Sequence, residues 1–156
     1  MTKVHQSLMV VLLAPVVLVL TTQTALSQDE VDETRAMLAL VAAFNDAREE
    51  CYSTPECPNI EEYLQLFTGE DARRTEIRRD NQVVLLEGLD ALRQDALRVT
   101  QQFTGRRLES THIMRHGRNV VVLQRNWDPG AETPNPFTHV FRVQDGKIAH
   151  WVLVAP

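Results

Sequence analysis

Three histidines in the second half of the chain carry the side chains best suited to chemistry near neutral pH. His112, His139 and His150 lie in segments that alternate apolar and polar residues, and the last two fall within FTHVFRVQDGKIAHW, residues 137–151. Imidazole exchanges protons near neutrality, and three imidazoles form a known ligand set of catalytic zinc. Histidines on separate strands more often line a pocket through hydrogen bonds. We therefore predict catalytic roles for His112 and His139, ligand binding by His150, and no metal.

The Asp145-Gly146 pair fixes where two of these histidines point. It predicts a type I′ turn in a β-hairpin formed by the last two strands. With regular pairing across that turn, His139 and His150 lie on one face of the sheet together with Phe141. This face is the more apolar one and is predicted to look toward the helices. The segment is therefore interpreted as the wall of a pocket.

A second hairpin is predicted around Gly117-Arg118, a pair suited to a type II′ turn. We expect its inward face to carry His112, Arg125 and Trp127, because a tryptophan belongs in a core. An inward Arg125 would need an anionic ligand or an acidic partner, since a lone buried charge is costly. A core role is the alternative for the aromatic residues. The predicted ligand-binding residues are Tyr63, Arg125, Trp127, Phe141 and His150.

The two cysteines, Cys51 and Cys57, stand close together in CYSTPEC. An even number of near neighbours favours a disulfide in an exported chain. A redox pair usually has two intervening residues, and no nearby histidine completes a zinc set. We therefore predict a structural disulfide.

The N-terminus has the pattern of a secretory signal peptide. Lys3 precedes an apolar run, residues 8–20, and Ala25 and Ser27 are the small residues expected before a cleavage site. Thirteen apolar residues are too few to cross roughly 30 Å of hydrocarbon as a helix. The prediction is cleavage after Ser27 and export, to the periplasm or the medium.

Residues 28–156 are then long enough for one domain with one core. The formal net charge is −5 for the full chain, and removing the single lysine of residues 1–27 makes it −6. An acidic chain with scattered arginines is not typical of nucleic-acid binders. After the signal peptide, no segment is apolar enough to cross a membrane.

Hydrophobic periodicity predicts helices first and strands afterwards. Helical spacing of apolar residues indicates helices over 29–50, from Asn59 to about 68, and over 89–102. Residues 72–87 suggest two short extended segments, and from 106 the period changes from 3.6 to 2. The chain is therefore α+β, with an antiparallel meander after the helices. Its outer face, predicted to hold Thr138, Val140, Trp151 and Leu153, could form a homodimer.

FNDAREE, YLQLFTGEDARR, LLEGLDALRQ and HVFRVQDGKIAHW together resemble the NTF2-like superfamily, especially its SnoaL-like branch, over about residues 33–154. The resemblance implies a cone-shaped roll of three helices on a curved antiparallel sheet, with a pocket between them. Members include isomerases, cyclases, dehydratases and epoxide hydrolases, and others that only bind ligands or partners.

The same resemblance implies a catalytic carboxylate at Glu76. Ketosteroid-isomerase-type members place an aspartate five residues after the aspartate of a DA pair, and Asp71-Ala72 puts Glu76 at that spacing. Pairing with neighbouring arginines is the alternative role. Those members also use a tyrosine on the first helix, which this helix lacks. The resulting expectation is an exported protein that binds a small organic ligand without a cofactor. It either performs acid–base chemistry or acts as a non-catalytic binding module.

Overall fold

The structure is a computed structural model and describes residues 27–155. The predicted signal peptide, apart from Ser27, lies outside the described residues. The elements follow in the order α1 (Gln28–Cys51), α2 (Ile60–Gln65), β1 (Arg73–Ile77), β2 (Val83–Glu87), α3 (Gly88–Gln102), β3 (Arg107–His116), β4 (Asn119–Trp127), β5 (Asn135–Gln144) and β6 (Lys147–Val154).

The helices pack on one curved sheet whose strand order is β2-β1-β6-β5-β4-β3. The predicted α+β architecture, with three helices against the sheet, is confirmed. The expectation of a wholly antiparallel sheet is wrong in one place, since β1 lies parallel to β6. The β1–β2 hairpin therefore extends the meander by two strands.

Phe44 of α1 lies at the centre of the core between the helices and the sheet. Its ring is fully buried, 4.9 Å from the ring of Phe141 and 5.0 Å from that of Trp151 between centroids. Tyr63 and Phe67 close the cluster from the other side, at 5.5 and 6.0 Å. Edge-to-face packing of this kind adds to the hydrophobic gain from burial. The helix is thereby fixed over β5 and β6.

A β-bulge in β6 changes the register that the Asp145-Gly146 turn sets. Both turn residues have the positive φ of a type I′ turn, 51° and 72°. The pairing of Val143 with Ile148 is followed by Arg142 with His150, which leaves Ala149 without a partner. Because one extra residue reverses every later side chain, His150 faces outward. The prediction of an inward His150 is therefore wrong, whereas His139, on the other strand, faces inward as expected.

In the β3–β4 hairpin the predicted faces are inverted along β4 and along β3 after an irregularity at Thr111, whereas Leu108 and Ser110 face inward as predicted. The turn pairs His116 with Asn119 as expected, but the buried residues of β4 are Val120, Val122, Gln124 and Asn126. The prediction relied on Trp127 as a core residue. Instead its ring lies on the outer face, and its Nε1 donates to a Glu109 carboxylate oxygen at 3.0 Å. Gln124 points inward, where it bonds to Arg48 and Asn45 of α1, and Asn126 follows on the same face.

The outer face of the sheet carries an apolar row. This row crosses all six strands in register and consists of Met114, Val121, Val140, Val152, Thr75 and Leu85. Trp151 and Leu153, predicted for this face, are buried beneath the helices because of the β6 bulge. Val152 and Val154 take their place outside.

Cys51 and Cys57 form a disulfide, as predicted, and both are buried. It closes the loop between α1 and α2, directly beside Tyr52. Within residues 27–155, no helix is both long and apolar enough to span a membrane.

Candidate functional site

Arg48 continues the buried stripe of α1. Met37, Val41, Phe44, Arg48 and Cys51 recur at helical spacing, so that a guanidinium takes a position where an apolar side chain is expected. Arg48 is only 7% exposed, and its Nη1 donates to the side-chain oxygen of Gln124 at 3.2 Å. Its Cζ lies 5.1 Å from the centre of the Trp151 ring. These contacts hold a buried cation on neutral groups.

Tyr52 caps the C-terminus of α1 and lies between two arginines. The Cζ atoms of Arg48 and Arg106 are 5.7 and 5.5 Å from its ring centre. Burial raises the pKa of Tyr52, but the positive charges of Arg48 and Arg106 outweigh burial and leave it below the ordinary value of 10.0. Tyr52 is thus a buried hydroxyl with an increased tendency to give up its proton. Helix α1 contains no tyrosine, but Tyr52 is the residue directly after its last turn.

Arg74 and Glu76 of β1 belong to a network of ion pairs. Arg74 contacts Asp95 of α3 and donates from Nη2 to Glu76 at 2.6 Å. Arg78 donates from Nε to the other oxygen of Glu76 at 3.0 Å. Both oxygens of this carboxylate are therefore held by guanidinium groups, which matches the alternative role of pairing with neighbouring arginines. Arg74 also lies over the Trp151 ring at 4.5 Å.

His139 is fully buried beside Trp151. The indole Nε1 of Trp151 donates to Nδ1 of His139 at 3.0 Å, so the proton of the neutral ring must be on Nε2. Burial, together with the charges of Arg48 and Arg74, lowers the pKa of His139 well below 6.5. Within residues 27–155, Nε2 has no hydrogen-bond partner. His139 is consequently a neutral hydrogen-bond donor at pH 7.

A cavity of about 250 Å³ lies between the sheet, α1 and α3. Five arginines line it, together with Glu76, Asn126 and an apolar wall that includes Phe103, Phe137 and Leu153; the arginines are Arg48, Arg74, Arg78, Arg98 and Arg106. The amide of Asn126 is fully buried, and neither its nitrogen nor its oxygen has a partner within residues 27–155. A smaller cavity of about 20 Å³, bordered by Tyr63 and Tyr52, has room for about one water.

None of the three predicted histidines lines this cavity. His112 is exposed on the outer face of β3, and the imidazole of His150, also outside, is 2.9 Å from the Thr75 hydroxyl. Only His139 faces inward, so the three do not meet. Among residues 27–155, no three histidines, cysteines or carboxylates are placed to hold a metal ion.

The other predicted residues divide between the interior and the surface. Arg125 is exposed and lies on the outer face with Trp127, because the two faces of β4 are the reverse of those predicted. Phe141 is buried in the core, and Tyr63 borders the small cavity, where burial raises its pKa to about 12. Glu76 lines the larger cavity.

Sequence reasoning missed Arg48, Tyr52, Arg74 and Asn126. The signal for Arg48 was present, since a charged residue interrupts the apolar stripe of α1 at a core position. The alternation of β4 likewise placed Asn126 in phase with Val120 and Val122. Arg74 and Tyr52 gave no such signal, because Asp95 beside Arg74 and Arg106 beside Tyr52 come from distant parts of the chain.

We expect stability to fall as the pH is lowered through the ordinary pKa of histidine. Below about pH 6.5 the unfolded chain takes up a proton at His139, whereas the native state does not. The free energy of unfolding should decrease by at most about 1.4 kcal/mol per pH unit between pH 6.5 and 5.5. His139→Gln, which keeps an acceptor for Trp151, should flatten this dependence in urea titrations. His112→Gln, at an exposed position, serves as the control, and equal slopes for wild type and His139→Gln would contradict the expectation.

Solved structures show the same fold. An NTF2-like protein from Mesorhizobium loti is 17% identical, with a TM-score of 0.65 over 80% of this chain and 94% of that one. An epoxide hydrolase from M. tuberculosis is 16% identical, with a TM-score of 0.57 over 80% and 85%. A de novo designed protein with a curved β-sheet is 15% identical, with a TM-score of 0.58 over 78% and 86%. This range includes a design, so the fold by itself does not define a function.

No curated protein matches the sequence. The family model of the SnoaL-like domain matches residues 58–151, from the loop before α2 to Trp151 in β6. That range covers more than half of the chain. It includes β1 to β5 completely and β6 as far as Trp151. The protein therefore belongs to the SnoaL-like domain family.

Proposed function

We propose that this protein is exported and binds a small organic molecule in the cavity between the sheet, α1 and α3. The observation that carries the proposal is the amide of Asn126, which is buried at the cavity wall without a partner in residues 27–155. A buried polar group without a partner costs about 1–3 kcal/mol. A ligand with a donor and an acceptor would offset that cost. The cavity, at about 250 Å³, approaches the range of roughly 300–1,000 Å³ typical of small-molecule sites.

The geometry supports binding better than proton abstraction by Glu76. Arg74 and Arg78 occupy both oxygens of that carboxylate, and His139 presents an N–H rather than a lone pair to the interior. The groups around the cavity are mainly hydrogen-bond donors. Such donors stabilise negative charge on a bound molecule.

A second candidate function is catalysis through an oxyanion, and Tyr52 favours it. Its pKa, raised by burial but lowered further by two arginines, makes the phenol a stronger donor than an ordinary tyrosine. Tyr52 borders the cavity of about 20 Å³ rather than the larger one, so in this role it would stabilise an enolate or alkoxide oxygen that enters that small space. It would replace the helix tyrosine of ketosteroid-isomerase-type members.

Asn126→Leu tests the binding proposal. We expect the variant to lose small molecules that copurify with the wild type, detected by mass spectrometry, while its free energy of unfolding is unchanged or higher. Leucine is close in size to asparagine and removes the unsatisfied amide. Gln124→Leu is the matched control on the same strand and face. Its amide bonds to Arg48 and Asn45, so its loss should cost about 1–3 kcal/mol. An Asn126→Leu variant that is equally destabilised and retains the same molecules would refute the proposal.

Export is supported by the apolar run of residues 8–20 and by the disulfide, which persists in oxidising compartments. Expressed in a bacterium, the full chain should appear in the periplasm or medium with Gln28 as its first residue. Ser27 caps α1 and forms a capping box with Glu30, so cleavage after Ser27 removes that cap. Intact-mass measurement identifies the first residue. Replacing Leu12 and Leu13 by arginine should keep the chain unprocessed, and processing of this variant would count against a signal peptide.

We also propose that the outer sheet face forms a homodimer. The exposed Leu85 and Met114 end a row whose centre is Val140 and Val152, and an apolar surface of this extent favours a partner. Val140→Glu should convert a dimer into a monomer in size-exclusion chromatography with light scattering, because it buries a charge at the contact. Arg142→Glu, two residues along the same face in a polar row, should not. A wild-type protein that is still monomeric at about 100 µM would refute the dimer.

A further inference from the structure

The charges around the cavity are unbalanced. Five arginines line it, whereas the carboxylates that contact them are those of Glu76, Asp95 and Asp128. Two positive charges are therefore in excess at this site, with Glu76 already counted as the partner of Arg74 and Arg78.

One of the two excess charges can be assigned to a single residue, and the other is shared by Arg74, Arg78 and Arg98, which contact two carboxylates between them. Arg74 and Arg98 contact Asp95, Arg78 contacts Glu76, and Arg106 contacts Asp128. Within residues 27–155, Arg48 has no carboxylate within 4 Å. It has one neutral amide, that of Gln124, and two aromatic rings. A buried guanidinium is rarely left without an anion, because burying an unpaired charge is costly.

The unpartnered amide of Asn126 is a second observation, independent of the unpaired charge of Arg48. Asn126 follows Gln124 on the same inward face of β4, and its unpartnered amide borders the same cavity as Arg48. A carboxylate accepts two hydrogen bonds from a guanidinium and still has lone pairs for an amide N–H. The rest of the wall is apolar, with Val99, Phe103, Phe137 and Leu153. This suits a hydrocarbon body attached to the charged group.

We infer that the ligand is an organic monocarboxylate, whose carboxylate is bound by Arg48 and Asn126 and whose apolar body packs against the wall of Phe103, Phe137 and Leu153. This inference rests on the proposed binding function and assigns the chemical class of the ligand. Inorganic phosphate is a poor fit, because it would leave the apolar wall uncovered.

The test compares an acid with its neutral isostere. Calorimetric titration with 3-phenylpropionate should give a Kd at least about tenfold lower than with 3-phenylpropionamide, which corresponds to one charge-assisted hydrogen bond. In Arg48→Met the two compounds should bind equally, and Arg48→Lys should retain part of the preference. Arg35→Met, at an exposed position on α1, should behave as the wild type. Inorganic phosphate at the same concentration should not compete.

Each result has a distinct meaning. Arg48→Met replaces a lone buried charge, so we expect it to fold, and circular dichroism verifies this. Equal binding of acid and amide by the wild type, or a preference that persists in Arg48→Met, would overturn the inference and leave the binding function intact. Competition by phosphate would overturn the assignment to carboxylates. If neither compound binds at millimolar concentration the inference fails, whereas the binding function depends on the copurified molecules of wild type and Asn126→Leu.

Discussion

One unpaired residue, Ala149, determines which side chains of β6 face the helices. Without the bulge, Trp151 would lie on the outer face and His150 beneath the helices. With it, the indole is placed where Phe44, Arg48 and Arg74 all contact it, and its N–H reaches His139. β1 also pairs with β6 beyond the bulge, so Arg74 is aligned with Trp151 across the parallel ladder. The polar interior therefore depends on one irregular position.

The interior holds charged groups because aromatic faces and ion pairs share the cost of burial. A guanidinium stacks on an aromatic ring with little loss of its own hydrogen bonds, and the attraction is stronger away from water. Arg48 and Arg74 use the Trp151 ring in this way, and Arg106 lies 3.6 Å from the centre of the Phe103 ring. Arg74 and Arg106 add carboxylate partners, whereas Arg48 does not. The lack of a carboxylate partner therefore distinguishes Arg48 from the other two arginines.

The sequence predicted the elements better than the faces. Turn chemistry at Asp145-Gly146 and the spacing of α1 and α3 gave the elements, because these are local properties. The register beyond Val143 was not predictable in this way, since Ala149 carries no bulge signature and its partner strand is regular. The inversion of β4 has another cause: Trp127 is large and apolar, but its indole N–H bonds to Glu109 outside, whereas Gln124 bonds to polar groups inside. Those groups come from α1, 76 residues away in the case of Arg48 and Gln124.

The unsatisfied groups are located where a packed core would be expected. Asn126, Nε of Arg74 and Nε2 of His139 are buried without partners in the described residues. Asn126 could be replaced by an apolar residue that would pack without that cost, as Val120 and Val122 do on the same strand. These groups hold four of the five unpartnered buried side-chain atoms in residues 27–155, and the fifth is the Thr68 hydroxyl. Arg74 and His139 contact Trp151, and Asn126 borders the adjoining cavity. Under the proposed binding function, the cost of the unpartnered Asn126 amide to the free protein is offset when a bound molecule supplies the missing partners.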